Sequence, residues 1–177
     1  GRMVWQGNGS DVFHIESFQT TFKQLMSVGD THQLYSYPPQ GLFLAVPFSV
    51  LPYPIAYLLW NSASIPFFFW PPPPFLPTHL RWWVAGLSPT AIICVGFGHY
   101  GLLVSGLFLL SFRGSGLAAA ALTFKPHLGL LVAVQMLRDR KALPSAIWGT
   151  IALVALSLVA FGPGSWIEFF TNTVPHQ

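Results

Sequence analysis

The sequence predicts an all-α integral membrane protein, a polytopic bundle of short helices, and three observations carry this prediction. Hydrophobic residues make up 53% of the 177-residue chain, and Asp, Glu, Lys and Arg together only 7%. A soluble domain carries about 25% charged residues. Long apolar runs are separated by single charges, and Phe and Trp are abundant. A surface with so few charges cannot be solvated by water, so lipid is the expected solvent.

Charge and cysteine content exclude several other classes of protein. The formal charge is +3, but Lys and Arg are scattered singly except at 138–141. No basic face is therefore present for a nucleic acid. Cys94 is the sole cysteine and lies inside an apolar run, which excludes a disulfide framework and zinc-ligand spacing. We expect a small buried residue at position 94, and no metal or cofactor.

Two regions are expected: an outer-face loop at 1–39 and a transmembrane bundle at 40–177. Within the loop, residues 16–26 have the period of an amphipathic helix. Its apolar residues share one face: Phe18, Phe22, Leu25 and Met26. The sequence leaves two interpretations open, a helix lying on the outer membrane surface and a helix packed on the rest of the protein.

The remaining apolar segments are short. Residues 41–51 cover about half of the roughly 20 residues of a perpendicular span and are broken by Pro47, so we expect a re-entrant or interfacial segment. Residues 54–70 form a plausible span that ends at the four prolines 71–74. Further segments are expected at 82–97, 101–112, 115–124, 127–137 and 143–161. Short helices are tolerated where their ends are buried or line a watery cavity, so a cavity is expected.

Orientation follows from the basic residues, because Lys and Arg concentrate in short cytoplasmic loops. The RDRK stretch at 138–141 is therefore placed inside. Counting segments backwards puts Arg113 and Arg81 on the same side. The outer side then receives residues 1–39, GHYG at 98–101, residues 125–127 and the loop after 161.

The stretch TFKPHLGLL at 123–131 sets a lysine and a histidine between apolar runs. Pro126 suits the first position of a helix and leaves Lys125 beside that helix's unpaired N–H groups. An ammonium at such a helix start, with His127 two residues later, predicts a site for a phosphate or pyrophosphate. The alternatives are a lysine reaching the outer headgroups and a histidine that caps local backbone.

Two further chain breaks are predicted on the outer side. Tyr37 precedes two prolines, and His99 and Tyr100 lie between glycines in GHYG. All three side chains could hydrogen-bond or stack on a sugar, and we take them as candidate substrate-binding residues. Each break could also be an ordinary turn with an interfacial aromatic residue. Together the motifs favour a site at the outer membrane face.

The order of motifs resembles a known family. The stretches are YPPQGLFLAVPFSVLPYPIAYLLW, GHYGLLVSGLFLL, LTFKPHLGLLVAVQML, RDRK and LVAFGPGSWIEFF. In that order they resemble the N-terminal half of glycosyltransferase family 87, bacterial polyprenyl-phosphate-mannose-dependent α-1,2-mannosyltransferases of the GT-C class. The likeness covers about residues 35–170. Where the family usually has Gly-Gln, this chain has Gly98-His99.

The resemblance implies a GT-C-like bundle that catalyses sugar transfer with inversion. The enzyme would take a hexose, expected to be mannose, from a polyprenyl-phosphate donor without a nucleotide. The acceptor would be a glycolipid or glycan at the extracytoplasmic face of the bacterial inner (plasma) membrane. Lys125 and His127 would bind the donor phosphate.

The resemblance also implies an acidic catalytic base in the first outer loop, close to a first span. That span is not found within residues 1–177, so we expect a piece of a longer protein, without the first span and the C-terminal half and inactive by itself. In the family the base typically precedes the stretch that corresponds to Gly1, so the base is expected upstream of residue 1. Within the chain, Asp11 is the candidate base, although its position is more typical of a loop acid, and Glu16 and Glu168 are weaker candidates. Asp139 is excluded because it faces the cytoplasm.

Two other functions stay open at this level. A transporter or flippase for a lipid-linked or anionic solute also uses broken helices at a cavity. The absence of clear internal repetition, and a site near one face, argue against it. The chain could also be a noncatalytic structural remnant.

Overall fold

The computed structural model describes residues 2–26, 35–69, 77, 80, 83 and 86–176. Every regular element among these residues is helical, which confirms the all-α prediction for this part of the chain. The predicted proline break at 71–74 and the basic residue Arg81 lie outside the described residues, as do the side chains of Leu25 and Met26.

The α-helices are, in chain order, α1 (Arg2–Trp5), α2 (Ile15–Met26), α3 (Leu42–Ala45), α4 (Tyr53–Phe69), α5 (Pro89–Phe97), α6 (Gly101–Phe112), α7 (Gly116–Ala121), α8 (Pro126–Arg138) and α9 (Leu143–Glu168). Short 3₁₀ turns connect several of them: Ser10–Phe13, Pro39–Gly41, Pro47–Val50 and Leu122–Phe124. The segments predicted at 54–70, 101–112 and 127–137 are confirmed as helices to within one residue at each end. Within the predicted segment 82–97, α5 begins only at Pro89, and α9 continues beyond the expected end at residue 161. Ser88 and Ser115 cap α5 and α7 by accepting a backbone hydrogen bond.

The chain forms two compact units. The first contains residues 1–50 and 151–177, and the second contains residues 51–150, so α9 contributes to both. The predicted boundary between residues 39 and 40 marks a change from polar to apolar sequence and stays a prediction.

The first unit is built on a small aromatic core. Its buried members are Met3, Val12, Phe13, Leu42 and Phe169. The Phe13 ring meets Tyr35 and Phe169 edge-on, at centroid distances of 5.7 and 5.9 Å. Phe18 of α2 also packs against this core. The apolar face of α2 is thus packed on protein at Phe18, the second of the two interpretations left open by the sequence.

The segment 41–51 is broken, as its prolines predict. One turn of α3 lies between the 3₁₀ turns Pro39–Gly41 and Pro47–Val50. The indole of Trp5 donates to the Val46 carbonyl at 3.4 Å, which ties the segment to α1. How deeply it enters a membrane stays a prediction.

In the second unit successive helices run in alternating directions, and the turns between them lie in pairs at two ends. The Tyr100 ring, before α6, lies 5.9 Å from the Phe124 ring, before α8. At the other end of the unit, Gly114 lies against the Asp139 carboxylate, because a Cβ added to the glycine would be 3.1 Å from Oδ2. GHYG and KPH therefore share one end, and Arg113 and RDRK share the other, as the count of segments predicted.

Helix α4 buries polar side chains and exposes apolar ones, the inverse of the pattern in a soluble protein. Asn61 and Ser64 are only 7% and 2% exposed, whereas Leu58 and Leu59 are 63% and 49% exposed. A surface helix of a soluble protein buries its apolar stripe instead. Polar and small residues facing inward are typical of helices that pack in lipid. The pattern supports an apolar environment around α4.

Among the described residues, one helix is long and apolar enough to cross a membrane. It consists of α9 and the π-helical residues Phe169–Thr173 that continue it, so it spans Leu143–Thr173, with a mean hydropathy of 1.9 and only 6% of its apolar window buried. A core helix of a soluble protein would be mostly buried, so this exposure supports a membrane location.

The predicted end of the last segment at residue 161 coincides with a kink. Gly162 has φ 76° and ψ 158°, and Pro163 follows it without an N–H to donate. Side chains bridge the break: the Trp166 indole donates to Ser157 Oγ at 3.0 Å, and Ser165 Oγ donates to the Phe161 carbonyl at 2.7 Å.

Candidate functional site

Four of the six predicted site residues lie in the second unit, at the end shared by the GHYG and KPH turns: His99, Tyr100, Lys125 and His127. Asp11 and Tyr37 belong to the first unit. The site is therefore described first around Lys125, and then at the two residues of the first unit.

The GHYG turn ends α5. Gly98 has φ 64°, in the left-handed region that favours glycine, and the His99 N–H donates to the Cys94 carbonyl at 2.9 Å. The positive φ needed at the end of α5 therefore accounts for the glycine at position 98. The His99 imidazole is exposed and lies 5.9 Å from the Phe97 ring, so it is accessible to a ligand.

Tyr100 is held between two aromatic side chains. Its ring meets Trp60 of α4 at 5.0 Å and an interplanar angle of 89°, and Phe124 at 5.9 Å and 77°. These edge-on contacts form a continuous aromatic wall from α4 to the residue before Lys125. We call Trp60, Tyr100 and Phe124 the aromatic wall.

Lys125 stands at the start of α8. It has φ −119° and ψ 88°, and Pro126 is the first helical residue, as predicted. The expectation of several unpaired N–H groups needs correction. The N–H groups of Leu128 and Gly129 donate to the Lys125 carbonyl at 2.9 and 3.0 Å, and Pro126 has none. An external anion would therefore meet the His127 N–H and the helix dipole.

The environment of the Lys125 ammonium is partly buried. Burial lowers its pKa, and the nearby Cys94 acts in the opposite direction. Cys94 is buried, as predicted, and packs against Gly101 so closely that a methyl group there would overlap Sγ. The lysine thus lies near the end of α5 and the start of α6. A cation that is partly removed from water is stabilised by a bound anion more strongly than a fully hydrated cation is. The side chain of His127 is exposed.

Sequence reasoning missed the polar face of α4. Tyr57 donates its hydroxyl to the Val95 carbonyl at 2.7 Å, and Asn61 donates Nδ2 to the Tyr57 carbonyl at 3.1 Å. Asn61 Oδ1 is buried and finds no hydrogen-bond partner among the described residues. A signal existed, because Tyr57, Trp60, Asn61 and Ser64 recur at helical spacing within an otherwise apolar segment.

In the first unit, Tyr37 precedes the buried prolines of the Pro39–Gly41 turn. Its ring meets Tyr35 edge-on at 5.6 Å. Burial raises the pKa of the Tyr37 phenol above its ordinary value, so the hydroxyl, protonated at neutral pH in any case, stays protonated at higher pH. It can therefore donate a hydrogen bond to a sugar oxygen.

Asp11 lies in the 3₁₀ turn Ser10–Phe13, between residues that anchor the core. Val12 and Phe13 are buried on its C-terminal side, and the Asp11 backbone carbonyl accepts from the His14 N–H at 3.2 Å. Asp11 as a residue is partly buried. The Glu168 carboxylate, a weaker candidate for the base, accepts a hydrogen bond from Asn172. No group of metal-ligating side chains is found within the described ranges.

Comparison with known proteins identifies the family. No curated protein and no solved structure shows a significant match to this sequence. The model of one family, described as Glycosyltransferase family 87, matches residues 35–177. That range contains the aromatic wall, Tyr37, Lys125 and the kink at Gly162. The chain belongs to glycosyltransferase family 87 and is therefore a sugar-transferring enzyme.

Proposed function

We propose that this enzyme transfers a hexose, expected to be mannose, from a polyprenyl-phosphate donor to a glycolipid or glycan acceptor with inversion. The reaction takes place at the extracytoplasmic face of a bacterial inner membrane. The observation that carries the proposal is the partly buried Lys125 ammonium at the start of α8, directly after the aromatic wall. In a glycosyltransferase, this position suits the phosphate of a lipid-linked sugar.

The negative charge that develops on the leaving phosphate is assigned to the Lys125 cation. The bond between sugar C1 and the donor phosphate oxygen breaks, while the acceptor oxygen bonds to C1 from the opposite face. The departing polyprenyl phosphate gains negative charge in the transition state, and a fixed cation in a desolvated site stabilises it. A base removes the acceptor proton. Asp11 is the candidate for that base within the chain.

The sugar and lipid are bound by different surfaces. His99, Tyr100 and Tyr37 offer hydrogen bonds or a ring face to the sugar. The polyprenyl chain lies along exposed apolar helix faces, where each buried methylene contributes about 0.8 kcal/mol relative to water. A polytopic bundle supplies such faces, and the inverted pattern of α4 supports that arrangement.

A transporter or flippase was the alternative on sequence grounds. Membership in a family of glycosyltransferases favours the enzyme. Helices that begin at a cavity are as useful to a sugar-transferring enzyme as to a transporter, since their N-termini stabilise the same anionic groups.

Substitution of Lys125 tests the donor-phosphate role. In the full-length protein, Lys125→Ala is expected to lower kcat for transfer from polyprenyl-phosphate mannose by about 10²- to 10³-fold, the usual loss when one transition-state charge partner is removed. Lys125→Arg keeps the charge and should retain part of the activity. Lys141→Ala removes an exposed lysine at the opposite end of the second unit and should not change transfer. Wild-type rates for Lys125→Ala, at equal amounts of inserted protein, would refute the assignment.

Asp11→Asn tests the base. This variant keeps the size of the side chain and removes its proton acceptor, so transfer is expected to fall by roughly 10²- to 10⁴-fold. Asp139→Asn serves as the control, because Asp139 is excluded as the base and an amide oxygen can still accept from the Lys141 and Ala142 N–H groups. Unchanged transfer by Asp11→Asn would place the base elsewhere without affecting the Lys125 assignment.

A further inference from the structure

An open, largely apolar cavity lies where α8 gives way to α9. Its volume is about 560 Å³. It is lined by Leu137, Arg140, Leu143, Pro144, Ile147 and Trp148. It belongs to the second unit, at the end where Gly114 meets Asp139, opposite the aromatic wall and Lys125. The cavity is therefore separate from the proposed sugar-transfer site.

The stretch of chain beside this cavity is basic, since Arg140 lines the cavity and two further cations are its neighbours in the sequence. Arg138, Arg140 and Lys141 are exposed. The acid among them, Asp139, is engaged by the loop: its Oδ1 accepts from the Lys141 and Ala142 N–H groups, each at 3.2 Å. Three cations thus stand beside one carboxylate that caps the start of α9. This excess of positive charge is complementary to an anion.

The walls of the cavity are suited to a hydrocarbon chain. Leu137 and Trp148 are 67% and 70% exposed, although both are large and apolar. Pro144 and Ile147 continue this surface along the first turns of α9, the helix long enough to cross a membrane. Tryptophan is enriched where helices meet the headgroup region, and basic clusters mark the cytoplasmic leaflet. An occupant must therefore be anionic at one end and apolar along the rest.

We infer that this cavity binds an anionic phospholipid of the surrounding leaflet. The lipid phosphate lies at Arg140, and an acyl chain lies along Leu137, Ile147 and Trp148. Basic pockets beside membrane helices recognise anionic headgroups in this way. The inference does not depend on the sugar donor, because it concerns the opposite end of the unit and a different ligand.

Lipid retention by the purified protein tests this inference. The protein is incorporated into nanodiscs of equimolar phosphatidylglycerol and phosphatidylcholine, and the lipids that stay bound are counted by native mass spectrometry. Phosphatidylglycerol is expected to be retained in preference. Arg140→Gln should reduce that preference about fivefold, the effect of removing one cation from a lipid-binding surface. Trp148→Ala should shorten retention of both lipids, because it removes part of the acyl-chain wall.

Arg113→Gln is the matched control. It removes an exposed arginine at the same end of the unit that does not line the cavity, and it should leave the preference unchanged. Equal retention of the two lipids, or an unaltered preference in Arg140→Gln, would overturn the inference. Displacement of the lipid by inorganic phosphate alone, or by a second copy of the chain, would also overturn it.

Discussion

The close packing of α4 on α6 makes Gly106 a sensitive position. A Cβ added there would lie 2.7 Å from Phe67 Cδ1 and 2.9 Å from the Phe67 backbone oxygen. Rotation of the phenylalanine cannot relieve the backbone contact, so Gly106→Ala must push the helices apart. Overpacking of this kind costs about 1–3 kcal/mol. At roughly 2–4 °C per kcal/mol, Tm should fall by about 2–12 °C.

Cys94 supplies the assay for this prediction. It is the sole cysteine and is 6% exposed, so a thiol-reactive fluorogenic dye reports its exposure on heating. The matched control is Gly96→Ala in α5, where nothing lies within 4 Å of the added Cβ. Alanine should stabilise that helix by about 0.5–1 kcal/mol. Equal melting temperatures for the two variants would refute the claim that α4 and α6 touch through Gly106.

Three other predictions concern Lys125 and the kink in α9. Burial lowers the Lys125 pKa, so its positive charge is lost at a pH below that of an ordinary lysine, and kcat should decline there. Lys125→Arg should move this decline to higher pH, and a superimposable pH profile would contradict the role. Gly162→Ala forces a side chain into φ 76° and should cost about 1–3 kcal/mol, measured as a lower Tm by circular dichroism. Trp166→Phe removes the hydrogen bond to Ser157 Oγ and should cost about 1 kcal/mol in the same melt, whereas an unchanged Tm would show that the bond does not hold the kink.

Much of the second unit could be predicted from the sequence because its signals are local. Pro126 begins α8 since it lacks an N–H that the helix would otherwise use, and Gly98 ends α5 since it adopts a positive φ. That GHYG and KPH share one end of the unit, with Arg113 and RDRK at the other, followed from counting alternating segments. The interpretation of α2 stayed open because period alone does not say whether protein or lipid covers Phe18, and the structure places it on the core.

The candidate site was predictable only in part. Lys125 was selected because a cation in an apolar chain is conspicuous. The sequence predicted more unpaired N–H groups beside Lys125 than the structure has, since the Leu128 N–H donates to the Lys125 carbonyl. Such a bond depends on local helix geometry that composition does not report.

By itself, the sequence determined that the chain is helical and apolar, where its helices break, and which turns hold the candidate site residues, because backbone restrictions and charge are properties of single residues and their neighbours. Only the tertiary structure decided that Tyr100 lies between Trp60 and Phe124, and that Asn61 is buried. It also placed the Lys125 ammonium within electrostatic range of Cys94. These contacts join segments far apart in the chain, and they exist because small residues such as Gly101 and Gly106 let the helices approach closely.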